Sequence, residues 1–173
     1  MVEGVAVLDI EVARKWYPDE DAVHGFSHIL RVYAMAQRLA KLEGADVEIV
    51  RAAALLHDAV DPETGETRQE HQHAAASFAG RVLAAEGWPA EKIEAVQHCI
   101  RSHRFRDSSE QPGTLEAQVL FDADKLDAIG AIGVLRAIAY AVQDGQELYD
   151  PPSERFLDSY EKEAGEPHTP YHE

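Results

Sequence analysis

The histidines and aspartates of this chain fall in pairs and short runs whose spacing suits a bound cation. His24 and His28 are four residues apart, about one helical turn. His57 and Asp58 are adjacent at the end of an apolar run, Ala52-Ala53-Ala54-Leu55-Leu56. Asp122, Asp124 and Asp127 are set among Val119, Leu120, Phe121, Leu126, Ala128 and Ile129. A charged aspartate in such surroundings is costly unless it is paired or ligates a metal. A divalent cation resolves both burials at once, because imidazole nitrogen and carboxylate oxygen suit Mn, Fe, Co, Ni or Zn. The plainer alternative makes His57-Asp58 an exposed helix end and pairs the aspartate run with Lys125 or Arg136. Each piece alone favours that alternative, whereas the pieces together, on separate helices, favour a metal.

Helices must carry these residues to one place. Val5 to Trp16 is predicted as a first helix, stopped at Tyr17-Pro18. Ile29, Val32, Tyr33, Ala36, Leu39 and Ala40 share one face of a second helix, from about Ser27 to Glu43, with Gly44 as its C-cap. Asp46 is placed to cap a third helix that runs on to Ala59. Pro62 to Gly65 is a loop, and Thr67 to Glu70 has the capping-box pattern that opens a fourth helix to Glu86. Pro89 suits the first turn of a fifth, ending near Ser102, before a polar loop from Arg104 to Gly113. Thr114 to Asp127, Gly133 to Gln143 and Ser153 to Glu163 complete the helical runs. Strand-like alternation is scarce, so the expected class is all-α, one domain over residues 1–164 followed by a loose tail, 165–173.

Composition narrows the partners. Thirty-two acidic against sixteen basic residues give a net charge of −16. Such a surface repels nucleic acid backbones and anionic membranes, so neither is an expected partner. It is either a well-solvated surface or an adaptation to a salty cytoplasm. Cys99 is the single cysteine, the N-terminus lacks a signal-peptide pattern, and no apolar run approaches a bilayer span; a cytoplasmic setting is expected.

His28 in His24-x3-His28-x2-Arg31-Val32, His57-Asp58 in Ala-Leu-Leu-His-Asp, and Asp122 in Asp-Ala-Asp-Lys-Leu-Asp-Ala-Ile-Gly-Ala-Ile-Gly together resemble the HD superfamily of phosphohydrolases, over about residues 20 to 140. The set looks like the small stand-alone branch related to nucleotide pyrophosphohydrolases. The resemblance implies a helical bundle with a divalent ion (Mn, Co, Ni, Fe, Zn or Mg) held between helices by His28, His57, Asp58 and Asp122. It also implies hydrolysis of a small phosphorylated substrate, most readily a nucleotide. An ion with open positions lowers the pKa of a water toward neutrality and neutralises phosphoryl oxygen.

Asp61, three residues past Asp58, resembles the acidic residue some members use to orient or deprotonate the attacking water; a surface aspartate before Pro62 is the alternative. His24 is expected beside the site, as a substrate contact or a support for a ligand. Arg31, one turn beyond His28, is placed to hold a phosphate or a ligand carboxylate, or to form an ordinary ion pair. His98 and His103 fall where two-metal members carry extra histidines. His71 and His73 come early after Asp58 for that pattern and are read as surface residues, so His98 and His103 are expected to support ligands or touch substrate. Arg104 and Arg106 are placed to close over a phosphate, Lys125 to meet a carboxylate or phosphate, and Asp127 to support a ligand. His168 and His172 belong to the tail. Two other functions compete: a di-iron oxygenase of the same family, disfavoured by the His71/His73 spacing, and a non-catalytic nucleotide-binding module, disfavoured by the complete ligand set and Asp61.

Overall fold

The computed structural model describes residues 8–17, 25–59, 71–104 and 110–143, with positions 145, 154 and 158. Every element among them is helical, as the all-α expectation requires. Contacts group the chain into two compact units, Met1–Asp127 and Ala128–Glu173.

In the first unit, α1 (Ile10–Ala13) runs into a 3-10 turn, Arg14–Trp16. The long α2 (Phe26–Glu43) buries Ile29, Val32, Tyr33, Ala36 and Ala40 and ends at Gly44, whose φ of 83° is the left-handed conformation a C-capping glycine adopts without strain. The side chain of Asp46 accepts from Glu48 N at 2.9 Å and Ile49 N at 3.4 Å, which starts α3 (Val47–Leu56). That helix is buried almost all round, from Ile49 to Leu56, and packs on α2 and on three later helices. α4 (His71–Ala85) pairs with α5 (Ala90–Arg101), and α6 (Leu115–Asp127) lies against α2. The core is therefore centred on α3, and the ends of the surrounding helices decide what reaches its C-terminus.

Helix α3 stops at Leu56, three residues short of the expected end at Ala59. His57 and Asp58 thus lie in the turn that closes through Ala59 N to Leu56 O at 3.2 Å. The expected capping box over 67–70, the loop over 62–65 and most of the last helix lie outside the described residues.

In the second unit, α7 spans Gly130–Gln143. It starts three residues earlier than expected, at Gly130 (φ 68°), and Gly133 is inside it. A Cβ at Gly133 would come 2.2 Å from Ala128 O, which explains a glycine there. Among the described residues no single helix is long and apolar enough to cross a membrane.

Candidate metal centre

Two helix C-termini present histidines in the same way. The last carbonyls of a helix have no partner within it and are commonly met by side chains. At the end of α3, His57 Nδ1 donates to Ala54 O at 2.9 Å; at the end of α5, His103 Nδ1 donates to Ile100 O at 2.5 Å. A carbonyl only accepts, so the proton sits on Nδ1 and each ring keeps the lone pair of Nε2 for something else. His28, in the first turn of α2, repeats the arrangement with a carboxylate: its Nδ1 meets Asp127 Oδ2 at 2.8 Å. Tyr17 closes the α3 end from the other side, its buried hydroxyl donating to Leu55 O at 2.8 Å.

The three rings stand edge to face around one point, with centroids 5.5 Å apart for His28 and His57 and 5.3 Å for His57 and His103; His71 joins at 5.9 Å from His103. Asp58 lies at that point. Its Oδ2 is 3.5 Å from His57 Nε2 and 3.9 Å from His28 Nε2; its Oδ1 is 3.4 Å from His71 Nε2 and 3.6 Å from His103 Nε2. Donors around a single ion with bonds of about 2.1 Å stand about 3.0 to 3.4 Å apart, slightly closer than these pairs. Two groups can therefore hold a metal, His28 with His57 and Asp58, and Asp58 with His71 and His103.

Electrostatics point the same way. His57 is fully buried, and burial pushes its imidazole down to about 4, so it is the neutral ligand form near pH 7. Its Nε2 is a buried side-chain atom without a hydrogen-bond partner. Such an atom costs stability unless something supplies a bond, and an ion does. Burial opposes ionisation of Asp58, but attraction from His57 and from His103 and His71, whose Nε2 atoms face its Oδ1, holds its carboxyl well below the usual range. Asp124 is likewise held low against burial by His57, Lys125 and His103. The C-terminal dipole ends of α3 and α5 add partial negative charge beside the same point.

The structure brings a different aspartate to this point than the expected fourth ligand. Asp122 is exposed, whereas Asp124 Oδ1 comes 3.4 Å from His28 Nε2. The reason is helical phase: residues two apart differ by about 200° around the axis, while Asp124 and Asp127, three apart, share a face. That face is the one carrying buried Ala117, Leu120 and Ala123. His71, expected on the surface, keeps a side chain 36% exposed and also reaches Asp58 from the first turn of α4.

Other expected residues divide. Asp127 supports His28, and Arg31 is bound to Asp127, Nε to Oδ1 at 2.7 Å and Nη2 to Oδ2 at 3.0 Å, so the ligand-carboxylate role fits it and the phosphate role does not. His98 is elsewhere: Nδ1 meets Glu110 at 2.5 Å and Nε2 accepts from Gly113 N at 3.2 Å, which leaves it no nitrogen for a ligand or substrate. Lys125 Nζ bonds Asp124 Oδ2 at 2.6 Å, and Arg104 reaches Gln72, the neighbour of His71, at 3.2 Å. His24, Asp61 and Arg106 lie outside the described residues. Sequence reasoning missed Asp124 and Tyr17. The three-residue step from Asp124 to Asp127 was a usable signal for the first, and there was none for the second.

The chain is similar to proteins of one family. The HD domain family model matches residues 25–129, which hold every residue of the two groups. The uncharacterized protein YpgQ of Bacillus subtilis is 33% identical over 147 residues, covering 83% of this chain and 70% of YpgQ. Its crystal structure in complex with ADP superposes with a TM-score of 0.64 at 32% identity, over 87% of this chain and 79% of that one. A Lactobacillus plantarum protein gives 0.71 at 33% identity, over 94% and 74% of the two chains. A predicted HD superfamily hydrolase from an uncultured Thermotogales bacterium gives 0.64 at 34%, over 76% and 72%. With the family match spanning most of the chain and the paired His-Asp at its centre, this protein belongs to the HD domain family.

Proposed function

We propose that the chain is a metal-dependent phosphohydrolase acting on a nucleotide, with its ion held by His28, His57, Asp58 and Asp124. The observation that carries this reading is the buried Nε2 of His57, which has no hydrogen-bond partner and is aimed with His28 at Asp58. A divalent ion there supplies positive charge for phosphoryl oxygen and acidifies a water. The chain's own residues do the rest. His28, His57 and His103 are fixed by their Nδ1 bonds and need no reorganisation. Arg104, next to His103 and reaching Gln72, brings positive charge to the side of His71, where an acidic protein of net charge −16 most needs it.

The nucleotide is supported by the ADP complex of YpgQ, a relative at 32% identity. The acidic surface disfavours a long polyanion over a compact one. Assaying phosphate and pyrophosphate release from nucleoside mono-, di- and triphosphates with Mn, Co, Ni, Fe, Zn and Mg tests the reading. Hydrolysis of a mononucleotide that chelator abolishes is expected; degradation of DNA or RNA with no mononucleotide activity defeats it. Asp61 is kept as the proton acceptor on its closeness in sequence to Asp58 alone. Asp61→Asn should keep its metal and lose about 10² to 10⁴ in turnover.

The second group favours a second reading, two ions sharing Asp58, because the two carboxylate oxygens face different histidine pairs. The spacing of His71 no longer weighs against it. Elemental analysis distinguishes one ion per chain from two.

A further inference from the structure

We infer that Asp127 is a positioning residue for the metal, orienting His28 and strengthening it as a ligand, and that Arg31 locks Asp127 in that role. The inference rests on the metal reading above. His28 and Arg31 are one turn apart on α2 and reach across to one carboxylate at the end of α6. Arg31 grips both oxygens, Nε on Oδ1 at 2.7 Å and Nη2 on Oδ2 at 3.0 Å, which fixes the carboxylate plane as a two-pronged guanidinium contact does. Oδ2 then accepts from His28 Nδ1 at 2.8 Å.

This support differs in kind from that of its neighbours. His57 and His103 are held by neutral carbonyls, whereas His28 alone of the three is held by a carboxylate. Both supports place the proton on Nδ1 and turn Nε2 inward, but a carboxylate also pushes electron density into the ring and makes Nε2 a stronger donor. The Asp127 side chain is 8% exposed, so solvent screens that charge little. The side chain is also well placed by its own helix: Asp124, one turn back, faces His28 Nε2 at 3.4 Å. The imidazole is therefore bracketed, with Asp127 at one nitrogen and Asp124 beside the other. Were the Arg31–Asp127 pair only a staple between α2 and α6, nothing would require it to end on a histidine nitrogen opposite the ion site.

The test is Mn2+ titration of chelator-stripped protein by calorimetry, for wild type, Asp127→Asn, Asp127→Ala, Arg31→Met and Arg31→Lys, with His57→Ala as a control. Both Asp127 variants are expected to weaken Mn2+ binding by about 10- to 100-fold, the usual loss for an outer partner of a ligating histidine. Arg31→Met should weaken it less, and Arg31→Lys should fall between Arg31→Met and wild type, because lysine restores the charge but not the fork. The visible absorption of the Co2+-loaded protein should shift in the Asp127 variants, a change in ligand field that a staple alone would not produce. Should Asp127→Ala fail to fold, the isosteric Asp127→Asn carries the measurement. Unchanged Mn2+ affinity and an unchanged Co2+ spectrum in Asp127→Asn and Arg31→Met, with only a lower melting temperature, overturn the inference. If wild type takes up no ion, or His57→Ala binds as wild type does, the metal reading itself has failed.

Discussion

His98 and His103 stand five residues apart at the end of α5 and are used in opposite ways. His98 has both nitrogens occupied, Nδ1 by Glu110 and Nε2 by the Gly113 amide, and Arg101 holds the same Glu110 through Nε at 2.7 Å. His103 has one nitrogen occupied, by the carbonyl of Ile100, and its side chain is 4% exposed with Nε2 turned to Asp58. The residue type is the same and so is the helix end. What separates a candidate ligand from a loop fastener is whether a ring nitrogen remains unspent in a place water does not reach. By that measure His57 and His103 belong together, and His98 belongs with Arg101 and Glu110.

The comparison breaks most severely if His57 is dispensable. His57→Ala removes the ring whose Nε2 has no other partner, and is expected to lose bound metal and reduce hydrolysis to the uncatalysed background. Elemental analysis of the purified variant beside its turnover decides the point, and wild-type values for both would show that the unspent nitrogen has no function.

Asp124→Ala and Asp122→Ala sharpen the same distinction on α6. Removing Asp124, 3.4 Å from His28 Nε2, should weaken metal binding by about 100-fold or more, at or beyond the loss typical of outer-shell partners. Removing Asp122, exposed on the other side of the helix, should leave affinity within error. Mn2+ titration of the two variants side by side reads the result, and the reverse order would restore Asp122 as the ligand.

These residues also show where sequence reading ends. His57-Asp58 stood out because a charged pair closed an apolar run, and the caps at Asp46 and Gly44 were visible because their backbone chemistry is local. Asp124 and Asp122 occupy one short motif, and only the phase of α6 against buried Leu120 and Ala123 separates them. His71 opens α4, and spacing along the chain did not tell where that helix would arrive. The partners of His98, Glu110 and Gly113, are brought to it by a returning loop. The contacts of His71 and His98 are made by tertiary folding, whereas each cap is a pattern complete within a single element.

Acid should expose the cost of holding His57 neutral. In the metal-free protein, burial pushes the folded-state value to about 4 from an ordinary 6.5. Between those values the unfolded chain holds the proton and the folded chain does not, so stability falls as pH falls from about 6.5 toward 4. The full loss is about 3 kcal/mol, and above pH 6.5 the residue contributes no pH dependence. Asp58 and Asp124, whose values are depressed, act in the same direction but at lower pH, below the ordinary aspartate value. Urea unfolding of chelator-treated protein at several pH values measures this, with His57→Gln expected to flatten the curve across the upper window. An equally steep curve in that variant would place the titration on other groups.

The smallest effect returns to the two histidines of α5. His98→Ala removes the bond to Glu110 and the acceptor of the Gly113 amide, both at a half-buried position and neither involving a residue of the ion groups. A hydrogen bond of this kind contributes about 1 kcal/mol net. For a chain of this size that corresponds to a melting temperature about 2 to 4 °C lower. Arg101 stays bound to Glu110 through Nε and Nη2, which limits the loss. Mn2+ affinity and turnover should be those of wild type. His103→Ala should give the opposite pattern: it empties a buried position beside Asp58 and removes one histidine of the second group, so metal affinity falls. Measuring melting temperature and Mn2+ affinity for both variants separates the two roles, and a loss of metal in His98→Ala would show that its two occupied nitrogens are not what keeps it out of the site.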